Sequence, residues 1–197
     1  ASTSRIPVLK HFEGICHVFV DRGANVNVAL PIILDSKCLM PEVCNAMETL
    51  LVHEDQLHCL PQVAETLRRQ GVSIKGCART REAVPDVAPA TPADWETEYL
   101  GLTLSVRVVR DVDAAIEHIN HYGSHHTDVI ITDSVARARR FCQRVYSGVV
   151  LVNASTMYCD GESLGMGAEI GISTDKLHAR GPMGLEELTS YKFVIDG

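Results

Sequence analysis

Leu102-Thr103-Leu104-Ser105-Val106-Arg107-Val108-Val109 alternates apolar and polar residues, and Asp111 soon follows, leading into Val112, Ala115, Ile116 and Ile119. The first run has the period of two that a strand requires. The second has the three-and-four spacing of a helix, with Asp111 as its N-terminal cap. The pattern then repeats. Val129 to Thr132 reads as a strand, and Asp133 or Ser134 starts a helix with Val135, Ala138, Phe141, Cys142 and Val145 inward. Gly148 to Asn153 is the next strand. Neighbouring parallel strands need a crossover, and a helix is the usual one, so this order predicts an α/β fold. Its sheet is mostly parallel, with helices on both faces.

The preceding residues fit the same plan. Ile15 to Val20 reads as a strand closed by the turn Asp21-Arg22-Gly23, and Asn25 caps a helix over Val26 to Lys37 that carries Pro31 in its first turns. Thr49 to His53 is a buried strand, and Leu57 to Gln70 a helix with Leu57, Leu60, Val63, Ala64 and Leu67 on one face and Gly71 as its stop. Val72 to Lys75 is a short strand. Arg81 to Asp94 holds Pro85, Pro89 and Pro92 and reads as a connector. Ala154 to Pro182 is glycine-rich and too long for an ordinary connection, which suits a segment lining a site. Leu188 to Ile195 is a candidate strand with no helix after it.

Composition narrows the function. Formal net charge is −7, with the basic residues scattered, which argues against a nucleic-acid surface. No apolar run reaches the ~20 residues of a membrane span. The start, Ala1-Ser2-Thr3-Ser4-Arg5, is too short and polar for a signal peptide and, lacking Met, does not read as a natural beginning. The seven cysteines, Cys16, Cys38, Cys44, Cys59, Cys77, Cys142 and Cys159, form no C-x-x-C pair. Such spacing predicts reduced thiols in the cytoplasm rather than a disulfide framework. His118, His121, His125 and His126 cluster in sequence, but no cysteine or carboxylate set completes a zinc site, so no metal is expected.

Cys44 is the candidate nucleophile. It follows Pro41 and precedes the apolar run Thr49-Leu50-Leu51-Val52, a pattern that can present a thiol at a strand edge. A thiolate there attacks an acyl carbon if nearby groups stabilise the developing oxyanion. The same pattern also fits a packed cysteine.

Cys44-Asn45-Ala46-Met47-Glu48-Thr49-Leu50-Leu51 does not stand alone. Ile6-Pro7-Val8-Leu9-Lys10-His11, Gly14-Ile15-Cys16-His17-Val18, Tyr122-Gly123-Ser124 with His126-Thr127-Asp128, Val152-Asn153-Ala154-Ser155-Thr156, Gly167-Ala168-Glu169-Ile170-Gly171-Ile172-Ser173-Thr174 and His178-Ala179-Arg180-Gly181-Pro182 accompany it. Together they resemble the C-terminal half of the glutamate-5-semialdehyde dehydrogenases, or γ-glutamyl phosphate reductases, of the aldehyde dehydrogenase superfamily. The resemblance implies residues 1–14 as the end of a nucleotide-binding domain, 15–174 as a catalytic domain, and 175–197 as a return segment with an oligomerisation strand over Thr189 to Ile195. It implies NADPH-dependent reduction of an acyl phosphate through a thioester on Cys44, a step of proline biosynthesis, and a homo-oligomer at full length. Most of the NADPH site would lie in the other half, so this chain alone is expected to be inactive.

The resemblance also assigns roles. The Cys44 N–H would serve the oxyanion. His11 falls near the general-base glutamate of aldehyde-oxidising relatives, and is either catalytic or a structural histidine. Glu98 matches the glutamate that holds the nicotinamide ribose, with Glu96 as its rival. Asn153, Ser155 and Thr156, with the free N–H groups of Gly165, Gly167 and Ala168, match the segment that anchors the glutamyl group. Met157 stands where an arginine is usual; Arg180 supplies the positive charge instead or salt-bridges under the loop. Two alternatives remain: a non-catalytic assembly partner of the same fold, and another cysteine acyl-transfer enzyme with a histidine base.

Overall fold

The computed structural model describes residues 3–6, 8, 13–176 and 179–197. Five crossover units build the main sheet. β1 (Cys16–Val20), α1 (Val26–Cys38), β2 (Met47–His53), α2 (Leu60–Arg69), β3 (Ser73–Gly76), α3 (Ala78–Ala83) and β4 (Ala88–Pro89) form its first part. β5 (Thr103–Val109), α4 (Val112–Tyr122), β6 (Thr127–Ile131), α5 (Val135–Arg144) and β7 (Val149–Val152) form its second. The seven strands lie in the order β4-β3-β5-β2-β1-β6-β7, and every pairing in that sheet is parallel.

Alternation divides the two faces. Val18, Val20, Leu50, Val52, Leu104, Val106, Val129 and Ile131 point to one side, where Ala29 and Ile33 of α1 and Leu60, Val63, Ala64 and Leu67 of α2 meet them. Phe19, Leu51, Val109 and Ile130 point to the other, against Ala115, Ile116 and Ile119 of α4 and Phe141 of α5. Each fully buried Leu, Ile, Val or Phe contributes roughly 1.5–3 kcal/mol, so both helical layers are held mainly by these stripes. The caps act as the sequence predicts. Asn25 accepts the Asn27 N–H at 2.9 Å, Asp111 that of Ala114 at 2.8 Å and Ser134 that of Arg137 at 3.3 Å. α1 continues through Pro31, which lies on its exposed side.

Several expectations need correction. The helix expected over Leu57 to Gln70 opens as a 3-10 turn, Glu54–Cys59, and becomes α-helical at Leu60, with Pro61 in the first turn where its missing N–H is harmless. The expected connector holds the end of α3, the two-residue strand β4 and a turn capped by Thr91 and Asp94. On α5 only Phe141 is buried; Val135 is 67% exposed and Cys142 is exposed, because this arginine-rich helix covers only the sheet's edge. Inside the glycine-rich segment, β8 (Gly171–Ser173) and β9 (Gly181–Met183) form an antiparallel ribbon. The tail forms no strand within one copy: Tyr191, Phe193 and Ile195 are 86%, 86% and 93% exposed. A lone strand has no source of backbone partners unless a sheet edge is offered to it. All seven cysteines are free. Among the described residues no helix is long and apolar enough to cross a membrane.

Candidate active site

Four of the segments expected to carry chemistry meet at the amino-terminal edge of the parallel sheet. Gly14 precedes β1, Cys44 and Asn45 precede β2, Glu98 precedes β5, and Ser124 to His126 precede β6. Open α/β sheets usually hold ligands at the carboxyl edge, so these loops make an exception. Their cohesion is backbone-deep. Glu98 Oε1 accepts the Gly14 N–H at 2.7 Å, and Ser124 Oγ accepts that of Ile15 at 2.9 Å. Gly14 lies so close to the Cys44 loop that an added Cβ would stand 1.8 Å from the Cys44 carbonyl oxygen. That carbonyl also accepts the buried Cys16 thiol at 3.3 Å.

Asn45 ties the loop to the far segment. Its Nδ2 donates to the carbonyls of Thr156 and Cys159 at 3.3 and 3.1 Å. This bracket carries Met157, Cys159, Asp160 and Glu169 to the thiol, and together with Cys44 and Asn45 they line a cleft of about 350 Å³. No described Lys, Arg or His lines it. Burial pushes the half-buried Cys44 thiol up from its ordinary value; the N–H groups of Cys44 and Asn45 oppose this, and the carboxylates of Glu169 and Glu98 add to it. The sulfur thus has backbone donors beside it, yet the resting chain favours the protonated thiol.

Glu169 offers a clean lever, since its Oε2 accepts the Gly161 N–H at 2.8 Å. Glu169→Gln keeps an oxygen for that bond and removes the charge. With one anion gone the thiolate costs less, so iodoacetamide is expected to label Cys44 a few-fold faster at neutral pH, as read by peptide mass spectrometry. An unchanged rate would contradict this electrostatic account. Labelling must be mapped to peptides because Cys77, at the opposite edge of the sheet, is the one thiol pushed down: the Thr80 hydroxyl and the Val108, Thr80 and Arg79 N–H groups outweigh its burial.

The remaining candidates fall in distinct places. Glu98 is half-buried against Gly14, whereas Glu96 is exposed. His11 lies outside the described residues. Asn153 has a positive φ of 53°, and both ends of its amide bond the Thr132 backbone at 2.9 Å. Ser155 caps the turn after it and lies 3.2 Å from Ser36 Oγ, which also accepts the Thr156 N–H at 3.1 Å. Gly167 and Ala168 are exposed, and neither lines the cleft. Arg180 donates to the Tyr146 carbonyl and does not line it either. The four histidines have separate surroundings: His118 meets Arg107 at 2.8 Å, and His126 meets Thr127 and Cys16 at 2.9 and 3.7 Å. His121 packs on Tyr122 and His125 on Tyr146. Among the described residues no group of three metal-ligating side chains converges.

Asn45, Glu169 and Gly14 gained no separate role from the sequence, because each acts through a segment distant in the chain. No family model matches the sequence. A gamma-glutamyl phosphate reductase from Desulfatibacillum aliphaticivorans is 53% identical over 197 residues, 100% of this chain and 47% of the relative. One from Carboxydothermus hydrogenoformans is 54% identical over 195 residues, 98% of this chain and 47% of the relative. The crystal structure of a gamma-glutamyl phosphate reductase from Thermotoga maritima superposes with a TM-score of 0.96 at 49% identity, covering 100% of this chain and 48% of that one. An acetylating aldehyde dehydrogenase from Geobacillus thermoglucosidasius shares the fold at 17% identity, with a TM-score of 0.71 over 100% of this chain and 55% of that one. The chain spans about half the length of the curated relatives it matches. By sequence and by fold it is, end to end, the counterpart of the C-terminal half of the gamma-glutamyl phosphate reductases, with an aldehyde dehydrogenase-type architecture.

Proposed function

We propose that this chain is the thiol-bearing half of a reductase that converts L-glutamyl 5-phosphate to L-glutamate 5-semialdehyde and phosphate, a step toward proline. The observation that supports it best is the convergence of Cys44, with its backbone donors, and Glu98 on the single residue Gly14. The Cys44 thiolate attacks the acyl carbon, the two N–H groups at the sulfur face the developing charge, and phosphate leaves to give a thioester. NADPH, when bound, supplies hydride to that carbon. The sulfur then departs as thiolate and the aldehyde is freed. Glu98 fits a ribose: one carboxylate oxygen is held by Gly14 and the other has no described hydrogen bond. Asp160 and Glu169 give the cleft a negative wall suited to the substrate's α-ammonium, while the phosphate requires cationic donors from outside the described cleft. A cysteine hydrolase needs an imidazole at the sulfur, and no described histidine lines the cleft.

The free thiols suit a reducing compartment such as the cytoplasm. We assign the exposed tail, residues 189–195, to an added strand on a second copy's sheet edge. Hydride transfer requires cofactor and thioester in contact, so the chain alone is expected to show no NADPH oxidation with the acyl phosphate. Joined to the N-terminal half of a relative such as the Thermotoga maritima enzyme, it is expected to turn over. Absorbance of NADPH reads both arms; turnover by the chain alone would contradict the division of labour.

A further inference from the structure

Lys37 Nζ and Glu48 Oε2 are 2.6 Å apart, with side chains 0% and 1% exposed. Two charges sealed in a core gain little over a well-packed apolar pair, so stability alone is a poor reason for this pair. Its position suggests another. Lys37 lies in the last turn of α1 and Glu48 is the second residue of β2, so the pair brackets the Cys44 loop. The second carboxylate oxygen, Oε1, accepts the Leu100 N–H at 3.2 Å. Leu100 sits at a positive φ of 51°, a conformation that a residue with a Cβ keeps only when its surroundings impose it. The Lys37 ammonium lies 6.0 Å from the Tyr99 ring centre. Tyr99 is fixed in turn by Asp94 and Ser105 at 2.9 and 2.7 Å. The next residue back is Glu98, bonded to Gly14. One ion pair thus clamps the nucleophile loop on one side and the Glu98 turn on the other.

We infer that Lys37 and Glu48 are positioning residues that hold Glu98 at the height needed to grip the cofactor ribose above Cys44. This rests on the reading of Glu98 given under Proposed function. The test uses the full-length enzyme that carries this chain. A Lys37→Met/Glu48→Leu double variant removes both charges, keeps apolar volume and leaves the Leu100 N–H without its acceptor. Its melting temperature is expected to stay near the parent's, while KM for NADPH rises about tenfold, the effect of roughly one lost hydrogen bond to a charged group. KM for the acyl phosphate is expected to stay put. Glu48→Gln keeps the side-chain length and an oxygen for Leu100, and is expected to return KM for NADPH most of the way. A folded double variant with the parent's KM for NADPH would overturn the inference. Should it fail to fold, Glu48→Asp, which keeps the charge but is too short to reach both partners, is expected to raise the same KM; the parent's value there would overturn the inference equally. Glu98→Ala separates the two levels. If it leaves KM for NADPH unchanged, the ribose reading fails and the positioning role falls with it. If it raises KM while the double variant does not, only the positioning role fails.

Discussion

Cys44→Ser is expected to reduce reductase turnover on the order of 10⁴-fold or more while the protein melts at the parent temperature. A serine hydroxyl beside the Glu169 and Glu98 carboxylates has no means of ionising, since even the thiol there is pushed up by burial and by those charges. An oxygen ester is also a poorer hydride acceptor than a thioester. The exchange costs little structurally, because Cys44 is half-buried at the cleft wall rather than in the core. Cys142→Ser, on the exposed side of α5, should leave turnover unchanged. Steady-state NADPH absorbance with a thermal melt checks both, and substantial turnover by Cys44→Ser would remove the nucleophile from the account.

Gly14→Ala should be the most damaging single methyl group in the chain. The new Cβ would meet the Cys44 carbonyl oxygen at 1.8 Å, its carbon at 2.5 Å and the Cys44 Cα at 2.7 Å. All three are backbone atoms, so no side chain can swing aside. Overpacking of this kind costs about 1–3 kcal/mol, a drop of roughly 2–12 °C in melting temperature for a chain of this size. Relief requires either the Cys44 loop to move, displacing the thiol, or Gly14 to move, straining the Glu98 bond to its N–H. Turnover is expected to fall about a hundredfold. A variant with the parent's melting point and rate would show that the close approach of Gly14 does not position the thiol.

The sheet was legible because β5 buries Leu104 and Val106 on one face while Thr103 and Arg107 on the other are only partly covered, which writes alternation into Leu102 to Val109, and because Asn25, Asp111 and Ser134 can each cap a helix. α3 was not: the six residues Ala78–Ala83 are too few to show a period. α5 misled because Val135 and Cys142 have the right spacing but nothing over them. At the site, Cys44 and Glu98 could be placed by resemblance, whereas the contacts that join them could not. Glu98 reaches Gly14 across 84 residues, and Asn45 reaches Thr156 across 111. Lys37 reads as a solvated cation in a helix's last turn, and Glu48 as a stray carboxylate opening an apolar strand; only packing α1 on β2 makes them partners. The tail pattern from Leu188 to Ile195 reads as a strand, but within one copy of this chain those residues are exposed and form none.

The account stands on covalent capture of the acyl group by one sulfur. The direct measurement is to incubate the protein carrying both halves with L-glutamyl 5-phosphate in the absence of NADPH, quench in acid and locate the adduct by peptide mass spectrometry. The account predicts a gain of one glutamyl group on the peptide bearing Cys44, released by hydroxylamine and absent from Cys44→Ser. Adduct on Cys77 or Cys159 with Cys44 unmodified, or turnover with no adduct at any thiol, would contradict it.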